Sequence, residues 1–257
     1  MKVIAVASGK GGVGKTTLCA NLSRAFKRQG HPVISVDMDP QNGLGLHFGL
    51  PTNHINGISR ATLSSEDWRG ALWHSEQGDV VFPYGLINDL DRTLFESKLA
   101  DDPEHLLAKL KLLKLPEDSY VFLDTPPGAS IYQQQAFSAC NVVVLTLLPD
   151  AASFATAYKY IKKIETECHI RPDFKGHIGI VNQVDRSRQL NSDMTDLMRN
   201  GLNLTRFSII HQDQSIVEAA AFGQAVLDYD AECRGSRDIE NVVITLKELM
   251  AAARVTN

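Results

Sequence analysis

The sequence has few cysteines and no closely paired ones. Cys19, Cys140, Cys168 and Cys233 stand far apart in a chain of 257 residues, and no two of them form a CxxC pair. This spacing argues against a disulfide framework and against a zinc site built from neighbouring thiolates. We therefore expect four reduced thiols in a cytosolic protein.

Long apolar runs and an excess of one charge are also missing. No stretch approaches the ~20 residues that a membrane-spanning helix needs. The apolar start, VIAVA, runs directly into a glycine-rich loop, and we interpret it as a strand rather than as a secretory leader. The net charge of −4 argues against a wholly basic surface for nucleic acid or anionic lipid. We expect a cytoplasmic protein without direct membrane insertion.

Short apolar runs recur along the chain, and segments with helical periodicity separate most of them. The runs that we predict as strands are residues 3–7, 32–36, 120–123, 141–147, 177–181 and 207–210. The predicted helices include residues 18–27, 104–113, 158–167, 192–198 and 236–253. This alternation indicates an α/β fold with a mostly parallel sheet covered by helices on both faces. We expect a single domain over residues 1–257, in which residues 50–115 fit the rhythm least well.

The segment SGKGGVGKTT, residues 8–17, satisfies the phosphate-loop pattern between a predicted strand and a predicted helix. Glycines let the backbone N–H groups turn inward around phosphates, and the helix start adds partial positive charge. We expect Lys15 to reach the outer phosphates of a nucleotide and the Thr16 hydroxyl to bind Mg²⁺. The expected nucleotide contacts in this loop are Gly9, Lys10, Gly11, Gly12, Val13, Gly14, Lys15, Thr16 and Thr17.

Acidic side chains follow two of the predicted strands. Asp37 and Asp39 end the run VISVDMDPQ, and Asp124 ends the apolar part of YVFLDTPPG. Alternation on an extended backbone would turn Asp37 and Asp39 the same way, toward the crevice at the strand ends. A carboxylate at Asp124 is placed to hold Mg²⁺ directly or through a water. Solvated turn aspartates remain the alternative for Asp37 and Asp39.

Together these motifs resemble the ParA/MinD family of ATPases, whose deviant phosphate loop is similar to KGGVGKTT. The resemblance implies a three-layer P-loop NTPase, ATP and Mg²⁺ as cofactors, and an ATP-dependent homodimer. In that dimer Lys10 would reach the phosphates bound by the other subunit; a solvated surface lysine is the alternative. The resemblance also assigns the attacking water to Asp39 and a place beside the magnesium shell to Asp37. Gly128 would turn its N–H toward a γ-phosphate.

Three more residues are expected at the nucleotide base. Asn182, in GIVNQVDRSRQ, stands where members of the family read the adenine edge, and its amide offers both a donor and an acceptor. Gln212 and Asp213 begin a stretch that resembles the family's pattern EA..FG..V..YD...RG, and we expect them to pass along the base. A turn asparagine remains the alternative for Asn182. Phe222 and Gly223 are interpreted as structural.

The middle segment EDWRGALWHSEQGDVVFPYGLIN resembles the BcsQ subfamily, which serves bacterial cellulose secretion. This resemblance implies a switch that regulates assembly or polar placement of the membrane cellulose synthase. It would act through small cytosolic Bcs-type partners, which could recruit it to the inner membrane or cell pole. Some members lack one or both loop lysines, whereas both are present here. Trp68 and Trp73 fit equally well as plain core aromatics.

Two other functions remain open. A ParA-type partition ATPase would bind DNA nonspecifically through basic residues on one face, and this is possible but not favoured. The candidates for that face are Arg186, Arg188, Arg199 and Arg206, which scattered solvated arginines would explain as well. A phosphotransferase on the same fold would need an acceptor pocket, and none is legible. For the switch we expect slow hydrolysis, because its ATP state has to persist while partners respond.

Overall fold

A computed structural model describes residues 1–252 of the chain. Its strands are β1 (Lys2–Ala7), β2 (Val33–Asp37), β3 (Trp73–His74), β4 (Val80–Phe82), β5 (Tyr120–Asp124), β6 (Val142–Leu147), β7 (Gly176–Val184) and β8 (Arg206–His211). They form one eight-stranded sheet in the order β3-β4-β2-β5-β1-β6-β7-β8. Neighbouring strands pair in parallel except β3, which runs antiparallel to β4 at one edge.

Helices cover both faces of this sheet. They are α1 (Lys15–Arg28), α2 (Ile58–Leu63), α3 (Asp89–Asp101), α4 (His105–Leu112), α5 (Ile131–Ala139), α6 (Ala151–Cys168), α7 (Gln189–Gly201), α8 (Gln214–Ala221), α9 (Val226–Tyr229) and α10 (Arg234–Ala251). Two further segments, Leu44–Phe48 and Trp68–Ala71, are short 3-10 helices.

Alternating side chains of the strands build a separate core on each face. In β1, Val3 and Ala5 join the core under α2 to α7, whereas Ile4 and Val6 join the core under α1 and α8 to α10. A strand buried on both faces has to be apolar at every position, which explains the continuous run in the sequence. The predicted three-layer α/β fold with a mostly parallel sheet is confirmed.

The six predicted strands correspond to β1, β2, β5, β6, β7 and β8, with ends that differ by a few residues. Strands β3 and β4 were not predicted, because two and three residues carry no readable periodicity. They lie in the segment 50–115, together with α2, α3 and the confirmed helix α4. The last predicted helix is α10, which ends at Ala251; residue 253 lies outside the described residues.

The tryptophans of the middle segment have structural places. Trp68 is 2% exposed, and its indole N–H donates a hydrogen bond to Thr62 Oγ1 at 3.0 Å. Asp67, just before it, accepts a hydrogen bond from the Arg69 N–H and so starts the short helix. Trp73 lies half-buried in the edge strand β3. The core interpretation of Trp68 is therefore confirmed.

Candidate nucleotide-binding site

The glycine loop after β1 ends in a conformation that requires glycine. Gly14 has a φ of 88°, in the left-handed region, and is the N-cap of α1 without a side chain to cap it. A Cβ on Gly14 would lie 2.4 Å from Asn182 Nδ2, so any larger residue there would have to displace the Asn182 amide. The first N–H groups of α1 are thus left for an external acceptor, as in phosphate sites at helix N-termini.

The lysine at the start of α1 is buried near two carboxylates. Lys15 is 6% exposed, and burial lowers the pKa of its ammonium group. The negative charges of Asp124 and Asp39 oppose this shift and raise the same pKa. Three of the predicted site residues therefore lie within electrostatic reach of one another, although they come from the ends of different elements.

Asp124, at the end of β5, is a buried carboxylate without a hydrogen-bond partner. It is fully buried, and neither oxygen accepts a hydrogen bond from any residue among 1–252. Burial raises the pKa of Asp124 to about 7, while the nearby Thr16 hydroxyl and the Lys15 ammonium hold it down. An unpartnered buried carboxylate is costly unless a cation joins it. Asp124 and the hydroxyl of Thr16 therefore fit Mg²⁺, which prefers such oxygen ligands.

The two aspartates after β2 have different surroundings. Asp37 is fully buried, and its two carboxylate oxygens accept the N–H groups of Asp39 and Leu44, each at 2.9 Å. Burial and the adjacent Asp124 raise the pKa of Asp37 well above its usual value. Asp39 lies beyond the strand, half-buried, with Oδ1 accepting the Gln41 N–H at 2.9 Å. Because β2 ends at Asp37, alternation along a strand does not set the direction of Asp39.

The segment after β5 lies against the phosphate loop. The Thr125 hydroxyl donates to Val6 O at 2.8 Å, and the Gly128 N–H donates to Ser8 O at 3.0 Å. Gly128 has a φ of 75°, which glycine adopts without strain. The Gly128 N–H, which we expect to turn toward a γ-phosphate, is therefore hydrogen-bonded to the first residue of the phosphate-loop segment.

Lys10, in the first half of the phosphate loop, contacts an acidic residue of the same chain. Its ammonium lies 3.0 Å from Asp150 Oδ2, and both side chains are partly exposed. Asp150 also caps α6, since its Oδ1 accepts the Ser153 N–H at 2.7 Å. Within a single subunit, Lys10 therefore forms an ion pair with Asp150.

A cavity of about 260 Å³ opens between the ends of β7 and β8 and the start of α8. Its lining consists of Gly14, Thr17, Asn182, Gln183, His211, Gln212, Asp213, Ile216, Val217 and Ala220. The cavity thus joins the end of the phosphate loop to all three residues predicted at the base. Apolar walls with a few polar groups are typical of sites for flat heterocycles.

Asn182 uses half of its amide within the protein. Its Nδ2 donates a hydrogen bond to Val13 O at 2.8 Å, which ties β7 to the phosphate loop. The carbonyl Oδ1 makes no hydrogen bond within the described chain and remains an acceptor at the cavity. The sequence indicated that this amide could serve as donor or acceptor. Because Nδ2 is engaged with Val13 O, Oδ1 is the atom left to bind a ligand.

Asp213 lines the cavity, but its carboxylate is engaged elsewhere. Its oxygens accept the N–H groups of Ser215 at 2.9 Å and of Gly235 at 2.8 Å. Burial would raise the pKa of Asp213, but these hydrogen bonds outweigh it and the pKa is lowered. Asp213 therefore joins the starts of α8 and α10. The adjacent Gln212 is anchored through its backbone N–H, which donates to Val184 O at 3.1 Å.

Two polar residues of the cavity were missed by the sequence interpretation. Gln183 has a φ of 58° at an irregularity in the pairing of β7 with β8, which no sequence pattern announces. His211 ends β8, and its ring is held by Asp238 Oδ2 at Nδ1 and by Arg234 Nη2 at Nε2, both at 2.8 Å. The position of His211 directly after a predicted strand was the available signal.

Neither a membrane-spanning helix nor a compact cluster of metal ligands occurs within residues 1–252. No helix within residues 1–252 is long and apolar enough to cross a membrane. Within the same residues, no group of three or more histidine, cysteine, aspartate or glutamate side chains is arranged to hold a metal ion. A magnesium site here would therefore depend on the single carboxylate of Asp124, on a hydroxyl and on the nucleotide itself.

A parallel sheet with a glycine loop after β1 and carboxylates at the ends of β2 and β5 defines a P-loop protein of the ParA/MinD class of ATPases. Within that class, the chain belongs to the family described as cellulose biosynthesis protein BcsQ, whose model matches residues 1–245. The predicted family is confirmed.

Individual relatives agree with this assignment. The chain is 28% identical over 250 residues to the cellulose biosynthesis protein BcsQ of Escherichia coli K12, covering 93% of this chain and 91% of that one. It is also 28% identical over 251 residues to the virulence plasmid ParA family protein pGP5-D of Chlamydia psittaci, covering 94% and 93%. The septum site-determining protein MinD of Pyrococcus horikoshii, solved with Mg-ADP, superposes with a TM-score of 0.78 over 97% of each chain. At a sequence identity of 21%, this superposition shows that the two chains share a fold and no more than that.

Proposed function

We propose that this chain is an ATP-dependent dimerising switch that regulates assembly or polar placement of a bacterial cellulose synthase. The observation that carries the ATPase part is the buried Lys15 at the start of α1, which lies within electrostatic reach of the buried Asp124 carboxylate at the end of β5, and that carboxylate accepts no hydrogen bond within residues 1–252. Membership of the BcsQ family supports the cellulose part.

The phosphate end of the site would bind Mg-ATP. Lys15 would contact the outer phosphates, and Thr16 and Asp124 would hold the Mg²⁺ ion, which neutralises phosphate charge when bound. Asp37 would act indirectly, because its two hydrogen bonds fix the loop that carries Asp39. The Mg-ADP in the Pyrococcus MinD structure supports the same ligands for this chain.

Hydrolysis would need a positioned water and compensation of charge. Asp39 would orient the water toward the γ-phosphate, while Lys15 would stabilise the charge that develops on the transferred group. Lys10 of a second subunit would add a cation from outside. We propose slow turnover, since a switch has to keep its ATP state while partners respond.

The base end of the site favours adenine. Asn182 Oδ1 is an acceptor, and the amino group at C6 of adenine is a donor. Guanine presents a carbonyl oxygen at the same position, which would place two acceptors face to face. We therefore propose ATP rather than GTP as the nucleotide, with Gln212 passing along the base.

The output would be carried by proteins rather than by lipid. A homodimer formed in the presence of ATP would present a surface that ADP-bound subunits lack, and small cytosolic Bcs-type proteins would read it. Recruitment to the inner membrane or the cell pole would follow from those partners. The cellulose synthase itself would be reached indirectly.

A plasmid or chromosome partition ATPase is the second candidate, and the similarity to a Chlamydia plasmid ParA family protein favours it. The arginines that would bind DNA are dispersed, however. Arg188 precedes α7 and Arg199 lies in its last turn, so roughly 16 Å of helix separate them. Arg199 also packs over the Phe207 ring, 4.6 Å from its centroid. Salt-sensitive DNA binding by the ATP state would favour this candidate.

Fluorescent ATP binding with and without Mg²⁺, combined with sedimentation velocity, tests the switch. We expect Mg²⁺-dependent binding and an ATP-dependent dimer in the wild type. Lys15→Ala should weaken binding by about 100-fold, because a charge-assisted phosphate contact contributes about 1.5–3 kcal/mol. Lys111→Ala, at an exposed position of α4, is the matched control and should bind normally. A wild type that binds no ATP would overturn the proposal.

The cellulose role needs a cellular measurement. Cells in which the gene is replaced by the Lys15→Ala form should secrete less cellulose than wild-type cells, as read from Calcofluor binding. Equal secretion by wild-type, Lys15→Ala and deletion strains would refute the cellulose role and leave the ATPase role standing.

A further inference from the structure

Helix α3 carries leucines on the side that faces away from the protein. Leu90 is 70% exposed, Leu94 is 50% exposed, and Leu86, just before the helix, is 42% exposed. We call these three residues the leucine ridge. Ile55 lies next to it, since the Leu86 N–H donates to Ile55 O at 3.1 Å, and its side chain is also exposed.

The leucine ridge is not explained by packing within the chain. The inner side of α3 already contributes Phe95 and Leu99 to the core. A surface helix normally presents polar residues on the opposite side, and neighbouring exposed apolar side chains mark sites of interaction. A spacing of four residues also forms the kind of ridge that packs into the groove of another helix.

A single layer of aromatic side chains lies beneath α3. The rings of Tyr84, Phe95 and Tyr132 pack with centroid distances of 5.7 to 6.1 Å. The Tyr84 and Tyr132 hydroxyls are 2.8 Å apart, and the Tyr132 hydroxyl donates to Glu96 Oε1, on α3, at 3.0 Å. Because this layer is buried and hydrogen-bonded, displacement of one ring requires movement of the others.

This layer joins the helix to both segments beside the proposed phosphate site. Next to Tyr84, the Gly85 N–H donates to Asn42 Oδ1 at 3.2 Å, and the Asn42 N–H donates to Asp39 O at 2.8 Å. Tyr132 lies in the first turn of α5, directly after the segment that contains Gly128. Hydrogen bonds thus link the Asp39 segment to the residue after Tyr84, and the backbone itself links the Gly128 segment to Tyr132, so both segments connect to the layer on the inner face of α3.

The charges on and after α3 are mostly acidic. The carboxylates of this region belong to Asp89, Asp91, Glu96, Asp101, Asp102 and Glu104. Its two cations are engaged locally: Arg92 Nε lies 3.6 Å from Glu96 Oε1, and Lys98 Nζ donates to Thr62 O at 3.2 Å. A partner that buries the leucines would therefore gain from basic residues at the edges of its own apolar face.

We propose that the leucine ridge docks an amphipathic helix with basic flanks from a partner protein, and that the nucleotide state controls this docking through the Tyr84–Tyr132 layer. The second clause rests on the proposed switch function, whereas the docking itself does not. A second copy of this chain fits less well, because a two-fold contact through the leucine ridge would place acidic flanks against acidic flanks.

A synthetic peptide provides the probe. It is a 20-residue helix with leucines on one face and lysines beside them, and its matched control carries glutamates in place of the lysines. Fluorescence anisotropy should show that the Leu90→Ser/Leu94→Ser double variant binds the lysine peptide at least about tenfold more weakly than the wild type, since two buried leucines are lost. The control variant Leu190→Ser/Leu197→Ser removes two exposed leucines of α7 and should bind as the wild type does.

Three results would overturn the docking. They are equal binding of the peptide by the wild type and the α3 double variant, equal binding of the glutamate peptide, and self-association of the wild type that the double variant abolishes. The last result would assign the surface to a second copy. Because the nucleotide-free protein suffices for these comparisons, they decide the docking even if the chain binds no ATP.

The control by nucleotide has its own readout. The affinity for the lysine peptide should differ between the ATPγS and ADP states, and Tyr132→Phe should reduce this difference because it removes the shared hydroxyl but keeps the ring. ATP hydrolysis measured alongside reports on the switch itself. Normal hydrolysis together with identical peptide affinity in both states would refute the coupling and leave the proposed function intact.

Discussion

Lys10 and Asp150 form an ion pair across 140 residues of sequence, with Lys10 Nζ 3.0 Å from Asp150 Oδ2. The pair joins the first half of the phosphate loop to the N-terminus of α6. If Lys10 serves the nucleotide of another subunit, it has to leave Asp150 first. On the proposed function, the contact would therefore oppose dimerisation by the free energy that the ion pair contributes.

The first prediction concerns that opposition. Asp150→Asn removes the charge but keeps a side chain that caps helices well. An exposed ion pair contributes about 0–1 kcal/mol, so the ATP concentration at half-dimerisation should fall by up to about fivefold. Sedimentation velocity over an ATP titration measures it. An unchanged midpoint would mean that the ion pair does not restrain the lysine.

Lys10 itself provides the companion variant. Lys10→Ala should bind ATP nearly as the wild type does, because Lys15 remains, but it should not form the ATP-dependent dimer. Size-exclusion chromatography with ATP separates the two outcomes. A Lys10→Ala protein that dimerises and hydrolyses ATP at the parent rate would show that this lysine has no role across an interface.

The second prediction compares two glycines of the loop in the nucleotide-free protein. Gly12 and Gly14 both have positive φ, but a Cβ at Gly12 meets open space, whereas one at Gly14 meets Asn182 Nδ2. Gly12→Ala should cost about 1–2 kcal/mol of the free energy of unfolding. Gly14→Ala should cost more, because Asn182 must also give up its bond to Val13 O. Urea unfolding measures both, and equal losses would contradict the close approach.

The third prediction concerns base selection by Asn182. Asn182→Leu keeps the size of the side chain but removes both its acceptor and its hydrogen bond to Val13 O, so ATP affinity should fall at least about tenfold, of which one lost hydrogen bond to the base accounts for about tenfold. GTP affinity should fall less, and the preference for ATP should narrow. Val217→Ala removes part of an apolar wall of the same cavity and should weaken both nucleotides alike. An unchanged ATP preference in Asn182→Leu would exclude this residue from base recognition.

The fourth prediction is a pH dependence of stability far from the site. His177 is 2% exposed, and burial lowers the pKa of its ring against the opposing bond to Asn203 O. Below its ordinary pKa the unfolded chain takes up a proton that the folded chain resists, so the contribution of His177 to the free energy of unfolding falls as the pH drops from 7 to 5. One group contributes at most about 1.4 kcal/mol per pH unit.

Urea unfolding of His177→Gln across this pH range provides the check. The free energy of unfolding of the wild type should fall relative to that of His177→Gln as the pH drops, whereas the titrations of His31, His105, Asp37 and Asp124 are common to both proteins and cancel in this difference. A slope identical to that of the wild type would show that His177 is not forced to stay neutral.

The sequence was most informative where local chemistry and local conformation coincide. The turn at Gly14 and the helix that follows it are encoded within a few residues, and so is the apolar strand that ends at Asp124. Full burial of a parallel strand leaves an uninterrupted apolar run, which made the central strands legible. Six strands and the phosphate loop could therefore be predicted before any tertiary contact was known.

The features that escaped prediction depend on distant contacts or on irregular backbone. Asp150 was not singled out from the sequence, because nothing near it points to Lys10. Gln183 enters the base cavity only because the pairing of β7 with β8 shifts beside it. Asp37 and Asp39 were predicted to share a direction from alternation along a strand, but the strand ends at Asp37, so alternation does not determine where Asp39 points. Each case turns on tertiary geometry that residue spacing does not carry.

Ser8 O already receives the Gly128 N–H in the chain alone. On the proposed function, an oxygen of the γ-phosphate would have to replace Ser8 O as the acceptor of the Gly128 N–H. An ionised oxygen has the advantage, because hydrogen bonds to charged acceptors are about twice as strong as those between neutral groups. ADP lacks the γ-phosphate and therefore offers no oxygen that could replace Ser8 O. Discrimination between ATP and ADP would thus depend on whether the Gly128 N–H donates to a γ-phosphate oxygen or to Ser8 O.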